Sequence, residues 1–443
     1  MTSFSVCSQP ARPAKIVEQP ANQVATFYHA AIINRLPVAL WRPPGAPSAQ
    51  AIVDLSGQPE AADSDFQVDF HDNTPTFVFS PFVKEQNLAT LRLQANVHLD
   101  NAGLHTYGDI HSSVRHAENH RRFTWTYQAL TSGELPIQPA WYTLPFAIGR
   151  NQIATEAEFR ALVESAIDFI RATQISKIVV SRMTETALPP HFDPTHTFEQ
   201  LCSRYPQAFV ALVAIPDVGT WMCASPELLL ALDQGELSTM ALAGTQARPA
   251  DLPLEQVRWG NKEVFEQALV SDYIREFFHK AGIDDLQETG PQTVAAGNVV
   301  HLQSTFHVHR TGEALLTVAN QVLHKLHPTS AVCGMPKDKA LSFILAEETY
   351  DRSFYSGFLG PVHVGGQSSL YVNLRCMQLQ ATTATLYVGA GITADSMPAA
   401  EWRETVLKSE TLLNVLRTAT EQPADPQPPL LTKPTSCTPV LER

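Results

Sequence analysis

Two pairs of glutamates are the residues of this chain whose spacing best suits chemistry: Glu263 with Glu266 in NKEVFEQ, and Glu401 with Glu404 in EWRETVLKSE. On a helix that spacing is about 4.5 Å along the axis, so each pair presents its carboxylates on one face. Lys408 follows Glu404 by four residues and shares its face. A lone E-x-x-E is ordinarily a solvated, salt-bridged helix surface. Two such pairs on different helices can instead converge on a hard divalent ion. Mg2+ is the natural occupant, because it takes few carboxylates and keeps waters or ligand oxygens. Just before the second pair, Gly389 and Gly391 flank Ala390, and there the backbone can approach a ligand with no side chain in the way.

Four further polar residues sit in apolar company. Lys177 opens the strand KIVVSR, where a lysine is either an edge gatekeeper or a partly desolvated amine. Glu227 stands between Pro226 and the run LLLAL. It is either a strand-start residue or a carboxylate near apolar walls, whose pKa would rise to suit an acid. Arg375 in YVNLRCMQL is placed to meet a carboxylate or phosphate. His301 in VVHLQSTF is more often a satisfied core histidine than a functional one. His105, His111, His116 and His120 mimic a metal site, but without H-E-x-x-H or clustered carboxylates they are expected in a solvated loop. No G-x-S-x-G, Walker A or Rossmann glycine pattern stands in a convincing context, so acyl transfer, nucleotide hydrolysis and dinucleotide binding fall away.

The elements that must position these residues are legible in part. Residues 24–148 read as short strands and turns, such as QAIVDLSG, PTFVFSPF and TLRLQANVHLD. Thr155 with Glu158 forms a capping box, and Phe159, Leu162, Val163, Ala166, Ile167 and Ile170 recur at helical spacing. Strands are expected at 177–182, 208–215, 221–232, 238–248, 298–310, 370–380 and 384–392. Helices are expected at about 262–280, 314–326 and 337–349, and through the Glu401 stretch. In the first of these, Phe265, Leu269, Tyr273, Phe277 and Phe278 lie roughly on one side, and Gly282 is the stop. Strands that do not alternate regularly with helices predict an α+β fold: large, twisted, mostly antiparallel β-sheet layers packed with helices. Residues 1–20 are expected to be a loose arm, 21–420 a single domain, and the Pro-rich 421–443 a disordered tail.

Composition narrows the class of function. The net charge of −13, from 31 Lys and Arg against 44 Asp and Glu, argues against nucleic acid. An anionic ligand would therefore need a metal, a few basic groups or backbone amides. The six scattered cysteines lack C-x-x-C spacing and suggest reduced thiols. The N-terminus has no apolar signal core, and no run approaches the roughly 18 apolar residues of a membrane span. A soluble cytoplasmic protein is expected, a monomer or weak dimer.

Taken in order, KIVVSR, SPELLL, LAGTQAR, the K-x-x-x-E of 262–266, VVHLQSTF, HPTSAVCGMP, DRSFYSGFLG, LR and GAGI…EWRETVLK resemble the chorismate-utilising enzymes. That family comprises isochorismate, salicylate, anthranilate and aminodeoxychorismate synthases, and the match runs over about residues 150–415. The resemblance implies that Glu266 and Glu404 bind Mg2+ directly, with Glu263 and Glu401 behind them through water. It also implies that chorismate is the small-molecule partner, its pyruvyl carboxylate received by Arg375, Lys408, Gly389 and Gly391. Gly244 and Thr245 would line the ring, and His301 would approach the departing hydroxyl. Family members that add ammonia typically carry glutamine at the position of Lys177. The lysine therefore implies water as nucleophile, with Lys177 as base and Glu227 as acid, and isochorismate as product. A salicylate synthase, which goes on to eliminate pyruvate, is the alternative. A catalytically silent binding homologue would have lost an acid, base or metal ligand, and here none is missing.

Overall fold

A computed structural model describes residues 20–61, 68–83, 88–109, 111, 113–144, 151–249, 252–297 and 299–418. The expected N-terminal arm, apart from Pro20, and the Pro-rich tail lie outside the described residues. A ten-stranded sheet runs in the spatial order Gly334–Met335, Lys177–Ala187, Thr383–Ile392, Cys376–Leu379, Gly219–Ser225, Phe209–Ile215, Val38–Arg42, Gln50–Val53, Val97–Asp100, Gly103–Thr106. A nine-stranded sheet runs Gln287–Ala296, Val299–His309, Glu236–Ala247, Leu228–Asp233, Ser368–Val372, Phe358–Val362, Thr76–Ser80, Leu91–Gln94, Glu60–Ala61. Every named strand pair is antiparallel. The fold is α+β, as the sequence predicts.

The sheets enclose an aromatic core that includes Trp41, Phe77, Phe79, Phe209, Trp221, Phe354, Tyr371 and Tyr387. Phe209 stacks on Tyr371 with ring centroids 4.1 Å apart, and Phe79 on Phe354 at 3.9 Å. Helices cover outer faces, so a strand such as Phe209–Ile215 is buried along its whole length. Phe209, Ala211 and Val213 face the inner core, while Val210, Leu212 and Ala214 pack in the cluster that holds Phe27, Phe123 and Phe198. Burial on both faces explains why FVALVAI is continuously apolar rather than alternating.

Two expected single strands are each two strands. Gly219–Ser225 belongs to the ten-stranded sheet and Leu228–Asp233 to the nine-stranded one, and the chain changes sheets at Pro226–Glu227. Ser368–Val372 and Cys376–Leu379 make the reverse change through Asn373, Leu374 and Arg375. The crossings lie side by side: the Val372 N–H donates to the Glu227 carbonyl at 3.0 Å, and the Ala224 N–H to the Arg375 carbonyl at 3.1 Å. Apolar runs hide such breaks, because both halves are buried in either sheet.

Other expectations change as well. Residues 24–148 are not only strands and turns, since Pro20–Ile33 and Val114–Thr131 are helices. The first is buried nearly all round, at Phe27, Tyr28, Ala30 and Ala31, and so lacks an amphipathic period. The second buries only a narrow stripe of Phe123, Thr126, Ala129 and Leu130. The histidine-rich segment is loop only around His111: His105 is in a strand, paired with Asp100 at 2.8 Å, while His116 and His120 are in the second helix. The Asn261–Lys280 helix does not bury Phe265, which is 52% exposed. Its inner face carries Glu266, Gln267, Val270, Ser271, Ile274 and Phe278. The polarity has a purpose: Gln267 accepts from the Ala243 N–H at 2.9 Å and donates to the Ala241 carbonyl at 3.2 Å, beside the irregularity between Ala243 and Thr245. Gly244 sits in that irregularity at φ +65, which favours glycine. The Thr155 capping box and the Glu156–Thr173 helix stand as expected.

A buried ion pair ties the strand of Lys177 to the loop before Gly334. Arg352 Nη2 lies 2.6 Å from Glu348 Oε1, and both side chains are 2% exposed. Arg352 also donates to the carbonyls of Val179 and Val332, while Glu348 accepts from the Ser181 N–H and Oγ. Arg352→Ala would take from the buried Glu348 carboxylate its guanidinium partner and leave only the Ser181 bonds of those named here. Equilibrium unfolding in urea should show a loss of about 3–5 kcal/mol, and a loss within error of zero would rule out this clamp.

Candidate active site

All the sequence-predicted site residues except Glu263 and Glu401 line one cavity of about 680 Å³, part of it open to solvent. Register explains the wall that carries Lys177. Gly391 pairs with Val179 and Gly389 with Ser181, so these glycines share the cavity side with Lys177 and Val179. Ile178, Val180, Ala390 and Ile392 point the other way into the core. Neither glycine has a positive φ. What they provide is clearance: a Cβ on Gly391 would stand 2.7 Å from Lys177 Cε, and one on Gly389 would stand 2.8 Å from the Tyr355 hydroxyl. Lys177 is not an edge gatekeeper, since it is 3% exposed and its strand is paired on both sides.

The two sheet crossings supply Glu227 and Arg375. Glu227 is 3% exposed, and burial pushes its carboxyl up to about 7, against the opposing pull of a Thr329 hydrogen bond, Lys177 and Lys408. Thr329 Oγ1 donates to Glu227 Oε1 at 3.1 Å. Arg375 adopts a positive φ of 47° and is buried. Burial draws its guanidinium down to about 10, opposed by Glu404, so it stays charged at neutral pH. It donates to the Lys408 carbonyl at 3.2 Å and to His301 Nε2 at 3.3 Å. No carboxylate of a described residue lies within ion-pair distance of it. Burial and the Arg375 charge push His301 down to about 3, so the ring is neutral. Its Nδ1 faces the Gly244 carbonyl at 2.9 Å and Thr245 Oγ1 at 3.2 Å. That arrangement assigns the ring proton to Nδ1 and leaves Nε2 to accept from Arg375.

The helices contribute the carboxylates. Lys408 Nζ pairs with Glu404 Oε1 at 2.7 Å and donates to the Gly389 carbonyl at 2.9 Å. Although burial opposes it, the charges of Lys408 and Lys262 hold the Glu404 carboxyl below its ordinary value. Glu401 is 1% exposed, and burial together with the Glu404 charge raises its carboxyl against the pull of Lys262. Lys262 Nζ bridges Glu401 Oε1 at 2.6 Å and Glu266 Oε1 at 3.6 Å, while Glu266 Oε2 lies 4.0 Å from Lys177 Nζ. Glu263 turns aside: its Cβ and carbonyl lie against Gly244 and its Oε2 beside Gly260. Among the described residues no three acidic, histidine or cysteine side chains form a ready metal cage. The donor set nonetheless suits a hard cation. Glu266 Oε1 and Glu401 Oε2 are buried oxygens without a hydrogen-bond donor, and an ammonium already occupies the space between the two carboxylates.

Sequence reasoning passed over Thr329, Tyr355 and the charge of Lys262. Thr329 lies in HPTSAV and Lys262 opens K-x-x-x-E, two of the segments that resemble the family. Nothing about Tyr355 in DRSFYSGFLG announces that its ring lines the cavity.

Known proteins resemble this chain in sequence and in fold. The isochorismate synthase EntC of Escherichia coli K12 is 30% identical over 275 residues, which are 60% of this chain and 69% of that protein. Anthranilate synthase component 1 of Streptomyces coelicolor is 32% identical over 277 residues, covering 60% of this chain and 52% of that one. The fold matches the solved structure of MenF, the menaquinone-specific isochorismate synthase from Escherichia coli, with a TM-score of 0.69 and 21% identity over 91% of this chain and 92% of the other. The chorismate binding enzyme family matches residues 101–417, which take in every residue of the site, and the chain belongs to that family.

Proposed function

We propose that this enzyme is an isochorismate synthase, converting chorismate reversibly to isochorismate by adding water at C2 and releasing the 4-hydroxyl. The observation that carries the reading is a buried amine, Lys177, sharing one chamber with a carboxyl, Glu227, whose pKa is about 7. A neutral amine can take a proton from water, which the glutamine of ammonia-using relatives cannot. A carboxyl poised near 7 can give its proton to a departing hydroxyl at neutral pH.

In this mechanism Lys177 removes a proton from the attacking water as its oxygen bonds to C2. The ring double bond shifts, the C4–O bond breaks, and Glu227 protonates the leaving oxygen so that it departs as water. Arg375, which lacks a carboxylate partner among the described residues, receives the pyruvyl carboxylate with Lys408, and neutral His301 holds the guanidinium in place. Gly244 and Thr245 border the ring. Glu266 and Glu404 would hold Mg2+, with Glu401 behind them, whereas Glu263, turned toward Gly260, takes no part. When bound, the ion would neutralise the ring carboxylate and orient the ring. Lys262 would then have to release Glu266 and Glu401 in part.

Purified protein given chorismate and Mg2+ should yield isochorismate on chromatographic separation. Salicylate with pyruvate would instead establish the eliminating reaction, and anthranilate on adding ammonia would refute the argument from Lys177. Lys177→Gln should lower kcat by about 10²–10⁴-fold while chorismate still binds by isothermal titration.

For Glu227, the active form is the protonated one, so kcat/KM should fall as pH rises through about 7. Glu227→Gln should remove that limb and leave a flat, low rate. A wild-type profile that stays level from pH 6 to about 8.5 would exclude Glu227 as the acid.

Gly391→Ala places a methyl 2.7 Å from Lys177 Cε and 3.4 Å from Glu266 Oε2. It should reduce kcat by about 10²-fold through displacement of the amine, with the circular dichroism spectrum unchanged. Unaltered turnover would show that the position of Lys177 is not critical.

A further inference from the structure

A second, larger cavity of about 2400 Å³, open to solvent, meets the catalytic chamber at Pro226, Leu242 and Arg375. Its floor is apolar, with Leu228, Met240, Val294 and Tyr371. Its charged lining is of one sign: Arg204, Arg248, Arg375 and Arg417, and no aspartate or glutamate among the described residues. This stands against a chain that carries 44 acidic and 31 basic residues. Arg417 is met by Glu410 at 2.8 Å. Arg204 and Arg248 are exposed, and neither forms an ion pair with another described residue.

We infer that this cavity is an anion-collecting vestibule, through which a dicarboxylate built on a six-membered carbon ring reaches the inner chamber. The inference takes chorismate as the ligand and is independent of which product is made. A positive cleft with low-dielectric walls, in a protein of net negative charge, concentrates an incoming dianion. Arg375 stands at the junction, so a carboxylate drawn in by Arg204 and Arg248 meets it next. The apolar floor suits the ring while the guanidinium groups engage the carboxylates.

The test is the double variant Arg204→Gln/Arg248→Gln, with Arg121→Gln/Arg122→Gln as control. The control makes the same change in net charge on the Val114–Thr131 helix, which lines neither cavity. Chorismate consumption is followed at low ionic strength and at about 0.5 M salt, where exposed charges are screened within a few ångströms. At low salt the double variant should show kcat/KM reduced about fivefold or more, with kcat unchanged. The deficit should vanish at high salt, and the control should behave as wild type. Isothermal titration of chorismate at both salt concentrations reads the same difference as affinity, even if turnover is absent or the product is not isochorismate. Wild-type kcat/KM, affinity and salt dependence in the double variant would overturn the vestibule. So would a change in kcat with kcat/KM preserved, which would mark a separate effector site.

Discussion

The structure depends on two neighbouring segments that change sheets side by side. Where the chain passes from Ser225 to Leu228, and back from Val372 to Cys376, neither segment can keep its regular ladder. The backbone groups freed there pair across the crossing instead. This satisfies the requirement that buried N–H and C=O groups find partners. It also creates a place where side chains leave both sheets and turn into the space between sheet and helices. Glu227 and Arg375, one acidic and one basic, occupy those places. The aromatic core between the sheets holds the crossing rigid, with Phe209 stacked on Tyr371 directly beside it.

Around that crossing, charge is buried in a managed way. Arg352 and Glu348 satisfy one another and brace the strand that bears Lys177. Lys262 serves Glu266 and Glu401, while Lys408 serves Glu404. Among the described residues that line the chamber, Glu227 and Arg375 have no opposite charge within ion-pair distance. Glu227 responds to burial by holding its proton up to about neutral pH, whereas Arg375 keeps its charge. A buried guanidinium without a carboxylate is costly unless a ligand completes it. The site is thus electrostatically unfinished in a way that a carboxylate-bearing ligand would correct.

The division between what was legible in the sequence and what was not follows physical lines. Short-range rules identified the Thr155 capping box, the strand of Lys177 and the helices bearing Glu266 and Glu404, because each leaves a local pattern of spacing. They failed for Pro20–Ile33, whose all-round burial erases the helical period, and for Val114–Thr131, whose buried stripe is narrow. They also joined strands that the fold separates, because WMCASPELLLAL and LYVNLRCMQLQ stay apolar through a change of sheet. Phe265 misled for the opposite reason: the helix presents Gln267 and Ser271 inward to serve a strand irregularity and leaves an aromatic outside.

By itself the sequence determined the chemical inventory: which carboxylates, amines and glycines exist, their spacing along the chain, and the family motifs they compose. Residue type and local spacing are one-dimensional properties and survive without a fold. Only the tertiary structure decided which of these groups share a chamber, that Glu263 turns toward Gly260, that Lys262 stands between Glu266 and Glu401, and that burial pushes the Glu227 carboxyl up to about 7. Desolvation and through-space charge depend on what surrounds an atom in three dimensions. Strands more than a hundred residues apart supply those surroundings.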